Sequence, residues 1–220
     1  VAILNIENVT KQYQAQGQQV SALAGVSLQL NPGQFIALVG RSGCGKSTLL
    51  NLAGAMDFPS SGKVMIDGEI TSNLDDSQLT ALRRNKVGFI FQNFQLLPTL
   101  SVAENVELPL LLAGSPNPRQ RAIETLSWVE LGDYANRMPH QLSGGQMQRV
   151  AIARALVHKP KLLLADEPIG NLDTTTGNLI LDLLRRAASD FQTAILMATH
   201  SADSTRVTDQ TVEMRDGLIV

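Results

Sequence analysis

Cysteine is nearly absent from the 220-residue chain: Cys44 stands alone, which excludes any disulfide within the chain and suits a reducing compartment. Aromatic residues are scarce at 4 %, and neither sign of charge dominates, since 18 Lys+Arg against 20 Asp+Glu leave a formal net charge of -2. That balance gives no support to a binder working through a broad basic surface, so no nucleic-acid partner is expected. Long apolar runs are lacking too. The longest candidates, such as residues 108–113, contain Pro109 and fall well short of the roughly 20 residues of a membrane span. No charged-then-apolar leader opens the chain, which starts at Val1, and a membrane segment beyond Val220 is left open. There is no long internal repeat and no low-complexity tract. What is present is 44 % hydrophobic residues beside 17 % charged ones, the balance of a soluble globular core in one domain or one domain with a sizeable insertion.

Residues 3–9 and 26–30 alternate apolar and polar side chains as half-buried strands do, and Asn31-Pro32-Gly33 then supplies turn chemistry. Residues 35–39 form a continuous apolar run, the pattern of a strand buried on both faces. A glycine-rich stretch follows it, and residues 46–56 are helix-compatible. After the apolar run 87–91 the pattern turns mostly helical as far as about His158. Ser101 and Glu104 form a capping box, while Asn117-Pro118 starts a second helix that Gly132 can stop. Strand–helix alternation returns with 162–165, 179–188 and 193–199. The expectation is a single α/β domain over 1–220, with a largely parallel sheet. Its core would comprise 1–92 and 159–220, with a helical subdomain inserted at 93–158.

Gly40-Arg41-Ser42-Gly43-Cys44-Gly45-Lys46-Ser47 matches G-x-x-x-x-G-K-[ST] after a buried strand and before a helix. Glycines let successive main-chain N–H groups converge on one concavity for phosphate oxygens, and the following helix N-terminus adds partial positive charge. Lys46 can reach the β- and γ-phosphates, and the Ser47 hydroxyl can ligate Mg²⁺. The bland alternative is a glycine-rich turn with a helix cap. Residues 162–167, Leu-Leu-Leu-Ala-Asp-Glu, read as a buried strand delivering Asp166 to the metal shell and Glu167 as general base toward water. A solvated acidic turn before Pro168 is the alternative there. Leu142-Ser143-Gly144-Gly145-Gln146 opens another helix with a second phosphate-binding arrangement, unless it is simply a glycine-rich cap. One ATP needs only one such device from a given subunit, so two copies packed head to tail would complete each other's sites.

The Leu142–Gln146 motif, with the phosphate loop upstream and Asp166-Glu167 downstream, resembles the nucleotide-binding domain of ATP-binding cassette (ABC) proteins, and the resemblance covers essentially the whole chain. It implies a phosphate-loop NTPase (RecA-like) parallel-sheet core with an N-terminal antiparallel β part and an inserted α-helical subdomain. It implies an ATPase using ATP and Mg²⁺, a homodimer of such domains, integral-membrane transporter subunits as partners, and a peripheral location on the cytoplasmic face of the inner membrane. By the same resemblance Tyr13 stacks on adenine, and Gln92 matches the glutamine linking metal and attacking water to the membrane partner. Asn171-Leu172-Asp173 resembles the segment that crosses the dimer interface, and His200 matches the switch histidine at the γ-phosphate. The implied catalytic set is Glu167, His200, Gln92 and Lys46. The ATP contacts are Tyr13, Gly40, Arg41, Ser42, Gly43, Cys44, Gly45, Lys46, Ser47 and Thr48. Ser143, Gly144, Gly145, Gln146 and Asp173 would face the partner's ATP, and the metal set is Ser47, Gln92 and Asp166.

Residues 89–98, 104–114 and 165–173 are similar to the macrolide-exporter and lipoprotein-releasing branch of that family. One departure is Ile169, where the branch usually has Thr; the hydroxyl is lost, while the catalytic candidates stand unchanged. A soluble cassette acting on ribosomes or DNA would carry two cassettes or a long coiled-coil insertion, and this chain has neither. A non-transport regulator of the cell-division type uses the same motifs and remains the alternative. A phosphate-loop GTPase is disfavoured because Asn85-Lys86-Val87-Gly88 has Gly where guanine reading by N-K-x-D needs Asp. His140 and His158 match no family role and are expected on the surface. Trp128 is expected in core packing with Ile123 and Leu131. Alkylation of Cys44 is expected to block ATP binding, with ATP protecting it.

Overall fold

A computed structural model describes residues 1–15 and 18–220, the side chains at 15, 18, 202 and 203 excepted. The chain begins with the long strands β1 (Leu4–Ala15) and β2 (Gln18–Leu30), then β3 (Phe35–Val39) and helix α1 (Lys46–Ala53). Both opening strands outrun the alternating stretches expected from sequence, because bulges along their pairing break the period-two pattern. Residues 57–86, which the sequence pattern leaves without an element, fold as β4 (Ser61–Ile66), β5 (Glu69–Ile70) and α2 (Asp76–Lys86). Local chemistry explains them. Asp67 and Gly68 take the positive φ values that a tight hairpin turn requires, 49° and 83°. Asp75 caps α2 in a reciprocal box with Gln78.

Next come β6 (Val87–Ile90) and three helices, α3 (Val102–Leu112), α4 (Pro118–Trp128) and α5 (Gly144–Leu156). The chain closes with β7 (Leu162–Asp166), α6 (Thr174–Phe191), β8 (Ala194–Thr199), β9 (Gln210–Arg215) and β10 (Leu218–Ile219). Helix α6 starts five residues before the 179–188 stretch legible in the sequence, because the Asp173 side chain accepts the Thr176 N–H and caps it there.

The strands form two sheets, a four-stranded antiparallel one ordered β2-β1-β4-β5 and a six-stranded one ordered β10-β9-β3-β8-β7-β6. In the second sheet β9, β3, β8, β7 and β6 run parallel, and only β10 folds back. Alternate residues of its central strands feed two cores. Phe35, Ala37, Leu163, Ala165, Ile195 and Met197 pack under the helices α3–α6. Ile36, Leu38, Leu162, Leu164, Leu196 and Ala198 pack with α1, α2 and the antiparallel sheet. Burial on both faces is why these strands read as unbroken apolar runs. Trp128 lies at the rim of the first core, where its indole N–H donates to Asp190 at 3.2 Å and its ring meets Phe191.

One expectation is overturned. His158 is not a freely exposed surface residue: two residues past the end of α5 it is partly buried, with Nε2 3.1 Å from the Val87 carbonyl. Burial, opposed by that carbonyl and reinforced by the nearby Arg121 charge, holds its pKa below the usual histidine value. The buried face of α5, from Val150 to Leu156, brings its C-terminal part onto β6, and His158 follows it inward. Among the described residues, no helix is long and apolar enough to cross a membrane.

Candidate functional site

Strand order assembles the site. The register pairs Val39 with Thr199, Ala198 with Asp166, and Ala165 with Ile90, so β3, β8, β7 and β6 end side by side. Just beyond those ends lie, in that order, the glycine loop, His200, Asp166-Glu167 and Gln92. Ligands of open α/β sheets bind at the carboxyl ends of the strands, and these segments are now neighbours there.

The loop has the conformation its glycines allow. Gly45 is the N-cap of α1 at φ 106°, and a Cβ there would lie 2.6 Å from the Ala22 carbonyl, so only glycine fits. Lys46 is 6 % exposed, and its ammonium group donates to the carbonyls of Gly40 at 2.7 Å and Arg41 at 3.1 Å. Cys44 is buried, with its Sγ 3.9 Å from the Lys46 Nζ. A cavity of about 170 Å³ is lined by Ser42, Gly43, Gly45, Lys46, Ser47, Thr48, Ala22 and Glu167. On the other side of the loop a wider groove of about 680 Å³ runs between Gly40–Cys44, His200 and residues 213–216.

The Ser47 hydroxyl faces the Asp166 carboxyl. Burial pushes the Asp166 pKa up, and the neighbouring Glu167 charge adds to this, while the Ser47 hydroxyl and Lys46 oppose it. Glu167 sits in left-handed backbone at φ 48°, held by its N–H to the Ala198 carbonyl at 2.9 Å. Its Oε2 lies 2.9 Å from His200 Nδ1, so two of the predicted catalytic residues, separated in sequence by α6 and β8, are in contact. Gln92 lies against the turn that follows Glu167: its side chain meets Asn171 at 3.4 Å, and Asn171 reaches back to the Gln92 carbonyl at 3.3 Å.

Tyr13 is 39 % exposed and stands beside Thr48. Its hydroxyl donates to Asp57 at 2.8 Å, and Lys11, 4.9 Å from the ring centre, is paired with the same carboxylate at 2.6 Å. Partial burial disfavours the Asp57 charge, but hydrogen bonds from Lys11, Tyr13 and the Phe58 N–H outweigh it and hold the carboxyl below the usual range. Asp57, which orients Tyr13, carried no signal in the sequence, because its partners lie more than 40 residues away.

The Ser143–Gln146 corner is built differently. Ser143 caps α5 by accepting the Gln146 N–H at 3.3 Å, and the Gln146 side chain accepts the Ser143 N–H at 2.9 Å. Gly144 lies near Leu172 and Phe94, and Gly145 lies directly against Thr176 of α6. None of these residues lines either cavity of the chain's own glycine loop. Asp173 caps α6, and its carboxyl is held low by the Thr176 hydroxyl and N–H. Ile169 lies over Gly177, partly buried in the helical core, so an apolar contact stands where a Thr hydroxyl is usual in the branch.

Two further polar residues bear on the site. Asn105, fully buried in α3, clips the segment that follows Gln92, and Gln148, fully buried in α5, donates to the Pro168 carbonyl. A polar residue on the buried face of an otherwise apolar helix is the signal that marks each of them.

A parallel sheet carrying a glycine loop and a strand-end carboxylate at one edge defines a phosphate-loop nucleoside triphosphatase. The family described as ABC transporter matches residues 23–170, and the chain belongs to it as an ATP-binding, ATP-hydrolysing cassette. It is 43 % identical to an uncharacterized ABC transporter ATP-binding protein, MJ0796 of Methanocaldococcus jannaschii, over 98 % of this chain and 94 % of that one. It is 44 % identical to the lipoprotein-releasing system ATP-binding protein LolD of Pseudomonas fluorescens, over 100 % of this chain and 97 % of LolD. It is 43 % identical to the macrolide export ATP-binding/permease protein MacB of Syntrophobacter fumaroxidans over 99 % of its own length, but spans only 31 % of that protein. A dimeric structure of the MJ0796 cassette in a post-hydrolysis state, bound to ADP and Pi, superposes with a TM-score of 0.89 at 42 % identity, covering 98 % of this chain and 96 % of that one.

Proposed function

We propose that two copies of the chain close head to tail around two ATP molecules and drive membrane subunits from the cytoplasmic face of the membrane. The observation that carries this reading is the separation of the two phosphate-binding devices. The Ser143–Gln146 corner lines neither cavity of its own glycine loop, and the N–H groups of Gly144 and Gly145, in the first turn of α5, have no acceptor within the helix. Head-to-tail pairing supplies each loop with a partner's corner, and a nucleotide that binds only the closed pair favours closure by mass action.

In this reading the main-chain N–H groups of 40–48 and Lys46 hold the phosphates, and Tyr13, steadied by Asp57, stacks on the adenine. The partner's Asp173 and Ser143–Gln146 corner complete the pocket. Mg²⁺ fits Ser47 and Asp166, a hydroxyl beside a half-buried carboxyl whose charge needs a counter-ion. Among the described residues no group of three His, Cys, Asp or Glu side chains could hold a metal, so the nucleotide's own oxygens would complete the shell. Bound there, the cation would neutralise charge on the β- and γ-phosphates. Glu167 takes the proton of the attacking water as general base, and His200, in contact with it, orients that carboxylate and reaches the transferred phosphoryl group. Gln92 would contact the metal and the attacking water.

The same elements give a path to a partner. Arg154 of α5 grips the carbonyls of Phe94 and Gln95, so the helix that begins at the Ser143 corner is tied to the loop carrying Gln92. An apolar groove of about 510 Å³ beside that loop, lined by Phe89, Leu108, Leu112 and His158 and rimmed by Arg83, Arg84 and Arg154, gives the membrane subunit a seat. The relatives named for macrolide export and lipoprotein release support a transport or mechanical role. The test is Glu167→Gln: it should keep ATP binding, accumulate as an ATP-bound dimer and hydrolyse roughly 10²–10⁴-fold more slowly. Turnover at the parental rate would remove the general-base assignment.

A further inference from the structure

Gln148 lies just over one turn into α5, on the face it shares with Ala151, Ile152 and Ala155, and it is 0 % exposed. Its Nε2 donates to the carbonyl of Pro168 at 2.6 Å. Because that partner is an acceptor, the amide can face it only with the NH₂ end, which leaves Oε1 without a donor among the described residues. A leucine or methionine would fill the volume with no orphaned side-chain atom, at the cost of the Pro168 carbonyl's donor, so packing alone does not account for an amide here. The bond it makes does.

Pro168 is the residue after Glu167, inside a tight turn closed by the Gly170 N–H on the Glu167 carbonyl at 3.0 Å. Glu167 itself is a non-glycine residue in left-handed backbone at φ 48°, a conformation that persists only where its surroundings over-determine it. Three bonds do so: Glu167 N–H to Ala198, Gly170 N–H to Glu167, and Gln148 to Pro168. The first two come from β8 and from the turn itself. The third comes from the helix whose N-terminus is the Ser143 corner.

We propose that Gln148 is a positioning residue for the hydrolytic step: it fixes the turn that aims the Glu167 carboxylate, and it does so from the helix that holds the partner's nucleotide. The inference rests on the general-base reading of Glu167 and on the shared pocket. A shift of α5 on engaging the partner's nucleotide is thereby passed through one hydrogen bond to the chain's own catalytic turn. Gln148 touches no substrate, so nucleotide affinity should not depend on it.

The experiment is a double-mutant cycle between Gln148→Met and Glu167→Gln, read as kcat and KM for ATP. Met keeps the volume and removes both the orphaned oxygen and the donor. A thermal melt checks folding, and Gln148→Asn, an amide one methylene shorter, is read in the same way should Met fail to fold. The expected result is a kcat lowered roughly 10- to 100-fold with KM for ATP unchanged within about twofold, the scale of a misplaced catalytic group. In the Glu167→Gln background the same change should produce no further loss of turnover, since there is no longer a base to aim. Parental kcat in Gln148→Met, a raised KM, or an equal loss in both backgrounds would overturn the inference while leaving the general base in place. Parental turnover in Glu167→Gln alone would instead overturn the general-base reading, and this inference with it.

Discussion

Asn105 satisfies both main-chain groups of Leu97 at once, its Oδ1 accepting the Leu97 N–H at 2.7 Å and its Nδ2 donating to the Leu97 carbonyl at 3.1 Å. The same Nδ2 lies 3.0 Å from the carbonyls of Leu100 and Ser101. A single buried amide thus pins the non-helical stretch between Gln92 and α3, where few main-chain groups have ladder partners.

Asn105→Leu keeps the volume and takes their partner from the Leu97 N–H and the Leu100 carbonyl, while the Leu97 and Ser101 carbonyls keep the N–H groups of Leu100 and Asn105. The expected loss of stability is about 1–3 kcal/mol, the cost of unpairing two partly buried groups. Urea denaturation measures it, and a loss below about 1 kcal/mol would show that water serves these groups as well as the side chain does.

A shared pocket makes defects in the two devices complementary. Lys46→Ala disables the glycine loop, and Ser143→Arg blocks the corner, at a cap cost of about 0.5–2 kcal/mol that the fold should tolerate. Each variant alone should be inactive. Mixing them yields heterodimers with one whole site, roughly a quarter of all sites under random pairing, so ATPase activity should reappear on mixing. Activity that stays at the sum of the two separate samples would place both devices on the same nucleotide.

His158 makes stability depend on pH in a defined direction. Its folded pKa lies below the ordinary histidine value of about 6.5, chiefly through burial. The unfolded chain therefore takes up the proton first, and stability is full above about 6.5 and lost as pH falls toward the folded value. His158→Gln lacks the titrating group. Between about pH 7.5 and about pH 5.5 the parent's denaturation midpoint should fall further than the variant's, and parallel falls would assign the acid sensitivity to other groups.

Cys44 is 7 % exposed and packed against Gly40, 3.9 Å from the Lys46 ammonium. A maleimide adduct cannot fit there without displacing the loop. Labelling should be slow, should be slowed further by ATP, and should abolish nucleotide binding once complete. Unchanged affinity after full labelling, measured with a fluorescent nucleotide, would show that the loop can hold phosphate with Cys44 displaced.

Local chemistry is what the linear sequence determined by itself. The glycine loop with Lys46 and Ser47, the apolar strand ending in Asp166-Glu167, and the caps at Ser101 and Ser143 are each dictated within a few residues, because φ freedom, capping and burial on both faces act over that range. The turn at Asp67-Gly68 and the Asp75–Gln78 box obey the same rules, although the hydrophobic pattern of 57–86 marks no element around them. Tertiary structure alone decided which of these pieces meet. The order β3-β8-β7-β6 sets His200 on Glu167, and pairings across scores of residues set Asp57 on Tyr13, Gln148 on Pro168 and His158 under Val87. Strand order follows from which apolar faces can be buried together, a property of the whole sheet and its two cores, and no segment read in isolation contains it.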